Sequence, residues 1–296
     1  HGGKVIWAID QVNAELDSLK GVGEQLAFAK KLNLDDLLFT YGVRINYQLI
    51  ADMNCAQIPL NVGNMGNQGQ IELVPWLFFP VFVPLSTHPL VKNLEGIRSE
   101  FASTIDTIAI TGVRKTVLLS SSPYSKLLDV PNLISLQMVE QEPDAATFRS
   151  DPQPVAVLLE GRFKSTFKNR PIPAQQENFS NRLDQSQPTQ MLVLSDGDLF
   201  KNQVGADGSP YPLGYDRYTQ QQYGNKALLL NAVDFMSGDG DLLNLRSKEL
   251  KIRLLDKALV KADKTFWQLI NVVLPLLMLA IFGFFQHWYR KRKYTV

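Results

Sequence analysis

The sequence predicts an α/β fold built on a parallel sheet and followed by one C-terminal transmembrane helix. Three observations predict it. Apolar runs of strand length alternate with stretches of helical spacing. The 296 residues are 45% hydrophobic and 20% charged, enough apolar material for a sizeable core. The stretch from Thr265 to Tyr289 runs for 25 residues without Asp, Glu, Lys or Arg.

Gly2-Gly3 leads into Lys4–Asp10, which reads as a buried strand entering the centre of a sheet. The chain starts at His1, so an upstream segment of a longer protein is expected. Leu34, Leu37, Leu38 and Tyr41 have helical spacing, with Asn33 as N-cap and Gly42 as terminator. Tyr47–Ala51 reads as the next strand, so the order is that of a βαβ unit. Gly63–Gln70, rich in Gly, Asn and Gln, reads as a loop. Pro75–Pro84 is apolar but broken by three prolines; it reads as a buried extended segment or a partner surface, not a central strand. His88-Pro89 opens a helical stretch to about Phe101.

Thr116–Ser120 and Val155–Leu159 are strand-length apolar runs, with a turn at Ser120–Pro123. Residues 161–190 form a polar excursion. Met191–Ser195 is a strand, and Gly205–Tyr223 is a loop. Asn225 caps a helix through Met236, stopped by Gly238. Leu242–Leu255 reads as an extended lead into the stalk. The expected domains are 1–256, an α/β domain; 257–289, a stalk and membrane helix; and 290–296, a basic tail.

The terminal stretch spans about 37 Å as a helix, enough for a hydrocarbon core of about 30 Å. Trp267 marks one interface, and Trp288 with Tyr289 the other. Arg290, Lys291, Arg292 and Lys293 then place the tail in the cytoplasm and the large domain outside. Without those four positives the net charge of +1 becomes −3, so attachment rests on the helix and not on a basic surface. That balance also argues against a nucleic-acid binder.

One cysteine, Cys55, and three histidines, His1, His88 and His287, leave little for metal chemistry. No metal and no cofactor is expected. P-loop, dinucleotide and Gly-x-Ser-x-Gly motifs are all missing. Cys55 and His88 are a possible thiol pair, but nothing around them favours a thiolate. Ser195-Asp196-Gly197-Asp198 follows a strand, where ligands of open sheets bind; Ser195, Asp196 and Asp198 are the candidate ligand-binding residues. A tight turn with capping aspartates explains the same tetrapeptide. Asp239-Gly240-Asp241 is a similar turn. Tyr211, Tyr215, Tyr218 and Tyr223 either stack on a ligand or pack their loop.

Several segments taken together resemble one family. They are Gly2–Asp10, Leu34–Asn46, His88-Pro89, Pro154–Gly161, Ser195–Asp198, Gly224-Asn225-Lys226 and Leu230–Asp234, with the membrane helix after them. The order is similar to that of the auxiliary, substrate-binding-like components of gliding-motility ABC transporters of Bacteroidetes, the GldG family. The resemblance implies an inner-membrane protein with a periplasmic domain of the class I glutamine-amidotransferase-like fold, stripped of catalytic residues. It implies a further membrane helix upstream, a GldF-like permease and a GldA-like cytoplasmic ATPase as partners, and no catalytic residue. The expected function is thus a non-catalytic, membrane-anchored subunit that couples to or gates the permease. A tethered ligand-binding module is the alternative, and a tethered hydrolase or amidotransferase using Cys55 or Ser195 ranks third.

Overall fold

The computed structural model describes residues 2–65, 68–141, 143–168, 183–238 and 264–294. It separates into two compact units, 1–254 and 255–296.

In the first unit, β1 (Val5–Ala8) and β2 (Val12–Asn13) precede helix α1 (Leu16–Val22) and β3 (Glu24–Ala29). Helix α2 (Asp35–Tyr41) then leads to β4 (Val43–Ile45) and β5 (Gln48–Asp52). A long hairpin follows, β6 (Cys55–Met65) and β7 (Gln68–Phe82), then β8 (Ile97–Arg98) and β9 (Ile105–Thr107). Next come β10 (Val113–Ser120), β11 (Ser125–Asp129), β12 (Asn132–Ser135) and β13 (Pro154–Gly161). The unit closes with β14 (Thr189–Leu194), the two-residue β15 (Tyr215–Asp216) and β16 (Gln221–Gln222), and helix α3 (Asn225–Ser237).

The central sheet has the order β1-β14-β13-β10. Its middle strands are apolar at nearly every position because both faces are covered. Leu158, Leu192 and Leu194 pack on one face with Leu228, Ala232 and Met236 of α3. Val157, Leu159, Met191 and Val193 pack on the other with Leu38 of α2. A second core lies under the hairpin, around Trp76, Phe78, Phe79 and Phe101.

The sheet is mixed, and this corrects the expected parallel arrangement. Only β1 with β14 runs parallel among the described pairs; β14 with β13 and β13 with β10 are antiparallel. β1 is an edge strand, half-buried throughout, instead of a central one. The βαβ unit does not form, because β4 pairs with β9 and β5 with β11, both antiparallel and in other sheets. Hydrophobic runs report burial and carry no information on strand direction.

Three local readings also change. Residues 63–65 and 68–70 are strand and belong to the hairpin, because ladder hydrogen bonds satisfy a polar limb as well as an apolar one. The proline-rich run is strand to Phe82, with its pairing register broken between Gln57↔Pro75 and Cys55↔Pro80; its aromatic side chains are buried. The break lets the prolines, which lack a ladder donor, sit in a strand. The stretch after His88 is a turn and not a helix: Val91 and Lys92 N–H both reach the His88 carbonyl, and Asn93 takes φ 60°.

Helix α2 begins one residue later than its spacing suggests, with Leu34 at the N-cap and Asn33 in the left-handed region. Gly42 and Gly238 do end their helices at φ 93° and 104°. Asn225 is the first residue of α3 and does not cap it; Gly224 holds that position. Instead the buried Asn225 amide donates to the carbonyls of Arg98 (2.7 Å) and Leu199 (3.0 Å), and its Oδ1 accepts Arg98 N–H (3.1 Å). Leu242–Leu255, Asp239-Gly240-Asp241 and residues 169–182 of the 161–190 excursion lie outside the described residues.

The second unit contains α4 (Lys264–Tyr294). Its segment Phe266–Lys293 has mean hydropathy 2.2 over its most apolar window, and its apolar side chains are exposed all round. Such a helix is long and apolar enough to cross a membrane. Trp267, Trp288 and Tyr289 flank it, and the Arg292 guanidinium lies 4.6 Å from the Trp288 ring centroid. Pro275 sits inside the helix.

Replacing Asn225 by alanine strips partners from three backbone groups inside the fold. We expect a loss of about 3 kcal/mol in urea unfolding of the full chain. A loss under 1 kcal/mol would show that water replaces those bonds.

Candidate functional site

Because β1 and β14 are parallel neighbours, their C-terminal ends open on the same edge of the sheet. Each is followed by a carboxylate, Asp10 and Asp196. Ligands of open α/β sheets bind at such edges.

Ser195 and Asp196 are each 1% exposed and bonded to their own chain. The Ser195 hydroxyl faces the carbonyls of Ser103 (2.6 Å) and Val155 (3.2 Å). Asp196 Oδ2 accepts the Ser99 hydroxyl and Glu100 N–H (2.8 Å), and its Oδ1 accepts Asp198 N–H (2.7 Å). These bonds clasp segment 99–103 to the end of β14. Gly197 N–H donates to Asp10 Oδ1 at 2.6 Å, tying in the end of β1. A side chain at Gly197 would meet the Asp10 carboxylate at 2.9 Å and push it aside, while the backbone angle there suits any residue.

Burial pushes the Asp196 carboxyl well above its usual range; the Asp10 and Asp198 charges add to this, while the Ser99 and Glu100 donors oppose it. Asp198 is also raised, by burial first and then by Glu100, with Lys201 opposing. Burial lowers Lys201, but the charge and hydrogen bond of Asp198, 3.1 Å away, outweigh it and raise the amine.

A cleft of about 250 Å³ opens beside the clasp. Its walls come from residues 15–17, 57–59, 98, 100, 198, 201–204 and 217–218, with Phe79 at its side. Of the three candidate residues, Asp198 lines it, while Ser195 and Asp196 lie behind it in the fold. Arg98 pairs with Glu100 at 2.7 Å and lies 4.7 Å from the Phe79 ring centroid. Arg217 covers the Tyr218 ring at 4.6 Å and donates to the Val204 carbonyl and the Tyr218 hydroxyl.

Sequence reasoning passed over Asp10, Arg98, Glu100 and Lys201. Asp10 carried a usable signal, a carboxylate closing the strand-like run Lys4–Asp10. Arg98 and Glu100 were hidden inside the stretch read as helical.

The tyrosines divide. Tyr211 and Tyr215 stack on each other at 5.5 Å, Tyr218 lines the cleft, and Tyr223 is buried, its hydroxyl pushed up to about 12 by burial. His88 packs edge-on against Phe235 (5.2 Å), and its Nδ1 accepts Leu90 N–H (3.3 Å). Burial lowers its pKa, Glu160 opposing and Arg114 adding to the effect. Cys55 sits in β6 opposite Pro80. Among the described residues no group of three or more His, Cys, Asp or Glu could hold a metal.

A family model described as an ABC-type uncharacterized transport system, the ABC-transport auxiliary family, matches residues 1–232. The chain belongs to this family. No curated protein and no solved structure matches it. For this auxiliary family member, membership associates the α/β unit with ABC transport and is consistent with a non-catalytic component that works with a permease and an ATPase. The matched stretch covers the clasp, the cleft and most of α3, and ends before α4. The apolar C-terminal helix is consistent with membrane anchoring.

Asp196→Ala leaves three donors without their acceptor in the interior. We expect it to lower stability by about 3 kcal/mol in urea unfolding. The pH dependence has a definite sign. With its folded value raised, Asp196 keeps its proton in the fold above about pH 4, where the unfolded carboxyl has lost it. Its contribution therefore declines as pH rises from about 4 through the folded value. Urea midpoints at pH 4 and pH 8 should shift in favour of Asp196→Asn relative to wild type; a pH-independent difference would contradict the raised value.

Proposed function

We propose that the chain is a non-catalytic, membrane-anchored auxiliary subunit of a gliding-motility-type ABC transporter, related to the GldG family. The observation that carries this reading is the coupling, in one chain, of the family-matched α/β unit to a helix apolar on every side. In this reading α4 crosses the inner membrane of a Bacteroidetes cell and packs against a GldF-like permease. The basic end at Arg290, Lys291, Arg292 and Lys293 faces the cytoplasm and the GldA-like ATPase, following the excess of Lys and Arg on cytoplasmic flanks. The α/β unit is then periplasmic and couples to or gates the permease. Kinship with class I glutamine-amidotransferase-like domains that have lost their catalytic set is part of the same reading.

Full-length protein extracted from native membranes in mild detergent should bring a polytopic permease and an ATPase with it in fixed ratio. A variant ending before Lys264 should lose both. Recovery of the chain alone, or retention of the complex without α4, would overturn the reading.

A further inference from the structure

Local costs concentrate in residues 99–103, the segment clasped to the end of β14. Among the described residues other than glycine, Asn33, Asn93, Gln220 and Phe101 take a positive φ. Asparagine tolerates the left-handed region because its short side chain bonds locally. Phenylalanine has no such compensation, and its Cβ crowds the following carbonyl. Yet Phe101 stands at φ 52° and is buried, its ring stacked on Phe78 at 5.9 Å and edge-on to Phe79 at 5.5 Å. The core demands an aromatic side chain where the backbone favours glycine. Two residues on, the Ser103 hydroxyl is buried with no hydrogen-bond partner among the described residues. Strain of this kind persists only where the surroundings over-determine it, and it collects at switch segments.

The surroundings here are a set of bonds from three sides. Ser99 N–H reaches the Pro80 carbonyl (2.9 Å), Phe101 N–H the Phe78 carbonyl (2.8 Å) and Ser103 N–H the Ser195 carbonyl (3.1 Å). The Ala102 carbonyl accepts Ile50 N–H (2.9 Å), and Asp196 takes the Ser99 hydroxyl and Glu100 N–H. The two ends are pinned independently, Arg98 by Asn225 and the Thr104 carbonyl by Asn46 N–H (2.9 Å). A rearrangement between such fixed points is all-or-none and not elastic. The side chains also divide: Glu100 lines the cleft, whereas Ser99 and Phe101 are buried. A contact made with Glu100 therefore acts on the same short backbone that holds the Phe101 ring.

We infer that residues 99–103 form a strained two-position strap that links the cleft to the aromatic core under the hairpin. In the held position the Asp196 clasp keeps Phe101 left-handed and its ring against Phe78 and Phe79. In the released position Phe101 leaves the left-handed region, its ring leaves that core, and the Ser103 hydroxyl gains a partner. Glu100 is the point at which the cleft moves the strap.

Amide hydrogen exchange of the full chain in detergent tests this, with the amides of β14 as the internal reference for global unfolding. The N–H groups of Glu100, Phe101 and Ser103 should exchange as one group, at least tenfold faster than those of Leu192 and Leu194. Asp196→Asn should speed that group at least tenfold relative to the β14 amides. Ser99→Ala, which removes one bond of the clasp, replaces it if Asp196→Asn does not fold. Phe101→Gly and Phe101→Ala both lack the ring, so their difference reports the backbone alone. Exchange of Glu100 and Ser103 should be several-fold slower in Phe101→Gly than in Phe101→Ala, the reverse of the usual order for these two residues. Glu100→Gln should speed Phe101 and Ser103 at least threefold. Exchange of the three amides only together with β14 would overturn the inference. So would equal or slower exchange in Phe101→Ala than in Phe101→Gly, or no response of Phe101 and Ser103 to Glu100→Gln.

Discussion

A carboxyl group held out of water has to find hydrogen-bond partners, and Asp196 finds them by joining the segment after β8 to its own turn. The Ser99 hydroxyl and Glu100 N–H come from the segment after β8, and Asp198 N–H comes from its own turn. Ser195, one residue earlier, fixes the end of the same segment through the Ser103 carbonyl. With 99–103 held in this way, Phe101 N–H reaches the Phe78 carbonyl and the Phe101 ring packs between the aromatics of β7. The clasp thereby joins the sheet core to the core under the hairpin. It also sets Arg98 and Glu100 at the rim of the cleft, beside Asp198 and Lys201.

The parts of this fold legible in the sequence are those decided by local pattern. Val155–Leu159 and Met191–Leu194 are apolar at every position, and both are strands covered on two faces. Gly42 and Gly238 stop helices because the left-handed backbone there suits a residue without Cβ. The charge-free stretch of α4 needs no tertiary context to be a helix. What local pattern could not give is direction and partnership. Nothing in residues 5–8 or 154–161 says that one pairing is parallel and the next antiparallel. The hairpin limb at 63–70 looks like a loop because its composition is that of one, and only its partner strand makes it a ladder.

The candidate site shows the same division. A carboxylate after a strand was visible at Asp196, but its role inside the fold depends on Ser99 and Glu100, nearly a hundred residues away in sequence. Asp198, two residues on, turns outward to the cleft. The two aspartates of one tetrapeptide therefore differ in kind, and sequence alone treats them alike. The ion pair of Arg98 with Glu100 spans only two residues, yet the reading of that stretch as helical concealed it.

Asn225 gives the cleft wall a mechanical property. The residue whose guanidinium lines the cleft has both its backbone N–H and its carbonyl held by the first residue of α3. The Arg98 wall and the head of that helix therefore behave as one stiff strut. A push on the wall is transmitted to α3 as a rigid displacement, unless two hydrogen bonds, each with a net worth of about 1 kcal/mol, give way first. Compliance in this part of the molecule lies elsewhere, in residues 203–209, of which Gln203 and Val204 line the cleft and which are anchored mainly by bonds among themselves and to Arg217 and Tyr211.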